Sequence, residues 1–190
     1  QITAPAPAPN NHYASLSSVA GNAEDIHNPI AGVEISIFDQ GTLKYFVEGN
    51  GFISTDVSTL TASAVDGTFD TLFETWTYTN PALIDPITGW QNGHTYLVKS
   101  WASDDVNNTE IPGAGSPMVF DKTKPLSDID IPADDGQYDD TLIQFTGGAA
   151  DTSPGVVGSV KLSLTIDDGS NYRWNGSTWV VSGSDIWINA

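Results

Sequence analysis

The groups in this chain best suited to chemistry are carboxylates. Asp25, the pair Asp104 and Asp105, Asp121, Asp128, Asp130 and Asp151 follow or precede apolar runs, where loops are expected. Carboxylate oxygens converging from separate loops suit a hard cation, and Ca²⁺ takes about six to eight of them. These seven aspartates are therefore the candidate metal ligands, although no contiguous Asp-x-Asp-x-Asp-Gly loop joins any of them. The competing reading is that Asp25 and Asp151 only cap turns. A second candidate set is aromatic. Trp90, in the turn Gly89-Trp90-Gln91-Asn92-Gly93, and Trp101 read as exposed indoles that can stack on the apolar face of a sugar ring. Against this, tryptophans in a β-protein mostly fill cores.

Enzyme chemistry finds little support. His12, His27 and His94 share no metal-ligand spacing, and without cysteine there is neither a thiolate nucleophile nor a zinc-thiolate site. No glycine loop of the phosphate-cradling kind is present, and nothing singles out two carboxylates as an acid–base pair. The chain is read as non-enzymatic.

Asp and Glu number 24 against 6 Lys and Arg, a formal charge of −18. Nucleic acid is excluded as a natural partner, because phosphate contacts need clustered cations. No apolar run approaches the roughly 20 residues of a spanning helix, so membrane insertion is not expected. Gly 18, Pro 11 and a single Met suit a turn-rich β-protein.

The elements that would position these groups read as short strands. Val33, Ile35 and Ile37 alternate with Glu34 and Ser36, and Val160, Leu162 and Leu164 alternate with Lys161 and Ser163, the period of a half-buried strand. Asp168-Gly169 and Asn175-Gly176 are hairpin turns bracketing Tyr172-Arg173-Trp174. Trp76 with Tyr78, Tyr96 with Val98, and Met118-Val119-Phe120 mark three more strands. The chain also repeats itself. Val33 to Ser54 align with Val160 to Val181 without a gap, and Ala23-Glu24-Asp25 aligns with Ala149-Ala150-Asp151. Self-similarity at one long period is the mark of a tandem array. Thr3-Ala4-Pro5 also resembles Thr123-Lys124-Pro125, which sets the expected boundaries. Residues 1–9 are a Pro/Ala linker, 10–122 a complete module, 123–140 an acidic linker, and 141–190 the first half of a second module.

The order of these motifs, met twice, resembles the bacterial immunoglobulin-like (fibronectin type III-like) tandem repeats of large surface and secreted proteins. The resemblance implies an all-β fold, an antiparallel immunoglobulin-like β-sandwich with one complete repeat and a partial second. In that topology Asp25 and the Asp104-Asp105 pair should meet at one pole near residues 1–9. Asp151 should face the second linker with Asp121, Asp128 or Asp130. Ca²⁺ held there would stiffen the junctions. The expected function is a structural spacer or scaffold segment of an extracellular, cell-surface protein, such as an adhesin stalk, surface layer or filament. The alternative is a carbohydrate-binding accessory module of a secreted protein. Expected partners are neighbouring repeats, a glycan in the alternative reading, and further copies of the chain through the incomplete second module.

Overall fold

The computed structural model describes residues 1–6, 11–138 and 144–190. The expected start of a second module at residue 141 lies outside them, as do residues 7–9 of the expected first linker. The fold is all-β with antiparallel sheets, and it divides into two compact units, residues 1–123 and 124–190.

In unit 1 the strands are β1 (Ile2–Ala4), β2 (His12–Tyr13), β3 (Ser18–Glu24), β4 (Ile30–Asp39), β5 (Lys44–Val47), β6 (Gly51–Ser54), β7 (Leu60–Thr61), β8 (Ser63–Ala64), β9 (Phe73–Thr79), β10 (Thr95–Asp104) and β11 (Ser116–Phe120). They form two sheets. One has the order β1-β3-β9-β8; the other runs β2-β11-β10-β4-β5-β6, with β7 also on β4. Both sheets bury side chains in one core. Val19, Trp76 and Tyr78 come from the first, and Ile35, Ile37, Phe46, Tyr96, Val98 and Met118 from the second. The alternation read along β4 is therefore the pleat presenting every second side chain to that core. Among the described residues all strand pairs in unit 1 are antiparallel except one: β2 runs parallel to β11, with His12 opposite Val119 and Tyr13 opposite Phe120.

Residues 1–6 are not a linker. Ile2 is buried, β1 pairs with β3, and the Gln1 carbonyl accepts from the Asn22 amide at 2.7 Å. The reason is local. Gly21 has no side chain, and a Cβ there would overlap the Gln1 carbonyl oxygen and lie 2.5 Å from the Trp76 ring. Glycine lets β1 cross closely over β3.

Unit 2 contains β12 (Leu126–Ser127), β13 (Ala149–Ala150), β14 (Lys161–Leu162), β15 (Tyr172–Trp174), β16 (Trp179–Val181) and β17 (Ile188–Asn189), paired β12–β13, β14–β17 and β15–β16. Leu126 and Ser127 thus belong to a sheet of unit 2, which corrects the expectation of an acidic linker over 123–140. Several contacts of unit 1 recur at matching positions. The Gln1 ammonium donates to Asn22 O, and the Asp128 amide donates to Gly148 O. A Cβ on Gly147 would overlap the Asp128 carbonyl as one on Gly21 would overlap that of Gln1. Ala6 N–H donates to the Tyr13 hydroxyl, and Ala133 N–H donates to the Tyr138 hydroxyl. Tyr45 stands opposite Ser54, and Tyr172 opposite Val181.

Candidate functional site

Two strands of unit 1 end together at one pole. β3 runs into Asp25 and β10 ends at Asp104, and both carboxylates line a cleft of about 600 Å³ with Gln1, Glu24, Phe73 and Glu110. The meeting of Asp25 with Asp104 near the first residues agrees with the layout expected from the sequence. What the carboxylates do there is visible in their hydrogen bonds. Asp25 Oδ1 accepts from the amides of His27 at 2.7 Å and Asn28 at 3.1 Å, closing the turn between β3 and β4. Those amides hold its carboxyl below the usual range, against the nearby charge of Asp104.

Asp104 is buried. Its Oδ1 accepts from the Val106 and Asn108 amides at 3.1 and 2.7 Å, and its Oδ2 accepts from the Asn28 and Asn108 side chains at 3.2 and 2.8 Å. Burial opposes its charge, but the donors of Asn108, Asn28 and Val106 outweigh it and the carboxyl is held below its ordinary value. Asn28 therefore ties the β3–β4 turn to the loop after β10. Asp105 has an exposed side chain, and its amide donates to Pro29 O at 3.0 Å.

The remaining predicted ligands lie elsewhere. Asp121 is at the opposite pole of unit 1, accepting from the Thr123 amide at 2.8 Å. In unit 2, Asp128 accepts from the Gly148 amide at 2.7 Å and Asp151 from the Thr152 amide at 2.8 Å; Asp130 donates its amide to Thr146 O across the sheet. Among the described residues no three His, Cys, Asp or Glu side chains are grouped as a metal site would require.

The aromatic candidates separate. Trp90 is not exposed but belongs to the core at 3% exposure. Its indole packs against Tyr96 at 4.7 Å, Phe52 at 5.7 Å and Phe120 at 6.2 Å, and its Nε1 donates to Leu16 O at 2.8 Å. The turn that read as a surface loop is pressed inward. The Trp90 amide donates to Leu83 O at 2.9 Å, and a Cβ on Gly89 would overlap that same carbonyl. Leu83 ends a 3-10 turn, Pro81–Leu83, and is itself fully buried. Trp101 is partly buried on the outer face of the larger sheet, where it stands opposite Glu34 and donates Nε1 to Glu34 Oε2 at 2.7 Å. A core residue and an outer-face residue cannot form one sugar platform.

One charged arrangement escaped sequence reasoning. Asp39, 1% exposed, accepts from the Gly41 amide and the Thr42 hydroxyl, each at 2.8 Å, and faces His94 Nδ1 at 3.0 Å. The partners lie 55 positions apart, so no local pattern announces them; only the β4–β10 register, which puts Asp39 opposite Tyr96, brings them together. The pair closes the turn between β4 and β5. No hydroxyl or thiol nucleophile is hydrogen-bonded to His94 among the described residues.

No protein-family model, curated protein or solved structure matches this chain.

Proposed function

We propose that the chain is a structural spacer, built from immunoglobulin-like sandwich units in series, of an extracellular repeat protein. The observation that carries this reading is the parallel pairing of β2 with β11. β10 ends at the Gln1 pole, beside Asp25 and Asp104. β11 is antiparallel to β10, so it starts at that pole and leaves at the other, where Asn92 binds the Lys122 amide. The chain therefore enters unit 1 at one end and leaves at the opposite end, as units strung along a line require. The strand orders β1-β3-β9-β8 and β2-β11-β10-β4-β5-β6 support this reading, since an immunoglobulin-like sandwich with its first strand split between both sheets would place its strands in such an order. The contact of Gln1 with Asn22, matched by that of Asp128 with Gly148, and the contact of Ala6 with Tyr13, matched by that of Ala133 with Tyr138, support a second unit of the same kind with a period of about 125–127 residues.

The acidic pole fits this role without a cation. Asp25 and Asp104 accept six hydrogen bonds between them, which makes them ties across strand ends. The carbohydrate-binding reading loses Trp90 to the core and keeps Trp101 alone.

Spin labels at Thr3 and Lys122 test the threading. A ten-residue strand such as β10 spans about 33 Å, so the labels should lie roughly 30 Å apart. A separation under about 15 Å would put both ends at one pole and remove the spacer reading.

A further inference from the structure

Three asparagines in this chain precede glycine: Asn50-Gly51, Asn92-Gly93 and Asn175-Gly176. Such a pair can react with itself. The glycine nitrogen reaches the asparagine side-chain carbon most easily when no Cβ restricts the backbone between them. The surroundings of the three pairs differ, and the difference selects one.

At Asn92 both reacting groups are engaged. The Gly93 amide, the nucleophile, donates to Phe120 O at 2.8 Å, and Asn92 Nδ2, the leaving group, donates to Thr123 Oγ1 at 3.1 Å. At Asn50 the backbone is confined. Gly51 is buried opposite Val47 in the β5–β6 pair, and a Cβ on it would overlap the Thr88 carbonyl oxygen. Asn50 Nδ2 donates to Glu48 O at 3.1 Å. Asn175 is arranged the other way. It lies in the exposed turn between β15 and β16, and its Oδ1 accepts from the amides of Ser177 and Thr178, each at 2.9 Å. Among the described residues neither the Gly176 amide nor Asn175 Nδ2 donates a hydrogen bond. The exposure belongs to the turn in both units, because Glu48-Gly49 at the matching position of unit 1 is exposed as well.

We propose that Asn175 is a self-modification site, at which the turn converts a side-chain amide to a carboxylate. The Gly176 nitrogen attacks Asn175 Cγ and loses its proton to water. The carbonyl electron pair moves onto Oδ1, where the Ser177 and Thr178 amides already stand as donors, the arrangement of an oxyanion hole. Collapse breaks the Cγ–Nδ2 bond, and Nδ2 takes a proton from water and leaves as ammonia. Water then opens the cyclic imide, at Cγ to give aspartate or at the backbone carbonyl to give its β-linked isomer. The balance is one water consumed and one ammonia released, with no oxidant or cofactor. The aspartate product suits the turn. Asp168-Gly169-Ser170 nearby has the same build with a carboxylate, Asp168 Oδ1 accepting from the Ser170 amide at 2.8 Å, and an ionised acceptor strengthens such bonds. The inference does not depend on unit 1 acting as a spacer.

The experiment compares three sites in one molecule. The full chain is incubated at mildly alkaline pH, folded and held unfolded in guanidinium chloride. Peptide mass spectrometry that separates aspartate from its β-linked isomer follows Asn50, Asn92 and Asn175. Folding should speed conversion at Asn175 by on the order of tenfold, below the ~10²–10³ of a donor in an enclosed site because water shares the turn. Folding should slow conversion at Asn50 and Asn92. The proposal is overturned if Asn175 converts no faster in the folded protein than in the unfolded one. It is equally overturned if Asn50 or Asn92 outpaces Asn175 in the folded protein.

Discussion

Replacing Trp90 separates a structural role from a ligand-contact role more sharply than any other single change. Its indole lies in the aromatic cluster of Phe52, Tyr96 and Phe120 and donates the hydrogen bond to Leu16 O. Trp90→Ala deletes a buried indole, at about 3–5 kcal/mol for a core aromatic truncated to alanine. It also leaves the Leu16 carbonyl without its donor, at about 1–3 kcal/mol for a buried polar group left unpaired. These contributions overlap if water enters the cavity, so a total of about 4–6 kcal/mol is expected. That is a large share of the roughly 5–15 kcal/mol stability of an ordinary domain. With a urea slope of about 1–3 kcal/mol per molar, the unfolding midpoint should fall by roughly 1.3 M or more. Trp101→Ala serves as the comparison. Its partly buried indole on the outer sheet face loses one cross-strand contact with Glu34, worth about 0.2–1 kcal/mol. Urea unfolding followed by near-ultraviolet circular dichroism reads both variants on the same signal. A Trp90→Ala midpoint within about 0.5 M of the parent would refute the reasoning, because an indole so easily removed cannot be packed as described.

Two further perturbations address the strand crossing and the charged ties. Gly21→Ala forces a methyl group into the Gln1 carbonyl and the Trp76 ring. An overpacking cost of about 1–3 kcal/mol should lower the melting temperature by roughly 5–10 °C, and a calorimetric trace unchanged from the parent would show that β1 does not cross there. The acid limb follows from carboxyls held below their ordinary range, Glu74 by the Asp70 amide and the hydroxyl and amide of Thr71, Asp85 by the Thr88 and Ile87 amides and the Thr88 hydroxyl. The folded state binds fewer protons than the unfolded chain in acid. The stability these groups contribute is therefore complete above the ordinary carboxylate range near pH 4 and is lost as pH falls through the lower folded values. Glu74→Gln should be less stable than the parent at pH 7, and the gap should close toward pH 2. A gap constant with pH would show that the Glu74 charge is not what the Thr71 and Asp70 donors hold.

How much of this was legible in the sequence depends on the range of the interactions. The strands β4, β9, β10 and β11 and the hairpin around Asn175-Gly176 were readable, because alternation and turn chemistry are local. The meeting of Asp25 with Asp104 was readable only through the expected topology. The division near residue 123 was legible from the likeness of Thr3-Ala4-Pro5 to Thr123-Lys124-Pro125, but the proline-rich and acidic stretches around those triplets read as linkers, whereas Ile2–Ala4 and Leu126–Ser127 form strands. The pattern that carries the structural match is Ile2-x-x-Pro5-Ala6 against Ile129-x-x-Pro132-Ala133, with Tyr13 and Tyr138 receiving the alanine amides. It was present in the sequence, but its meaning lies in a hydrogen bond to a residue several positions later. Trp90 was misplaced because two glycines read as a surface turn. Gly89 instead allows the backbone to press against Leu83 and turns the indole inward. The Asp39–His94 pair had no local signal at all.

The proposed spacer role has a mechanical consequence: unit 1 would carry tension between opposite poles through the seam of β2 and β11. That seam is held by Val119 N–H on Asn11 O and Asp121 N–H on Tyr13 O, both at 2.8 Å. Tension along the parallel strands loads these bonds together, whereas tension applied at one pole opens pairs one after another. The chain has no cysteine, so cysteine handles at Thr3 and Lys122, or at Thr3 and Asp105, give two pulling directions in an otherwise identical molecule. Single-molecule stretching should show a higher unfolding force for the Thr3–Lys122 pair, with an extension of roughly 400 Å for the released chain. Equal forces in the two directions, or a lower force between the opposite poles, would contradict the account.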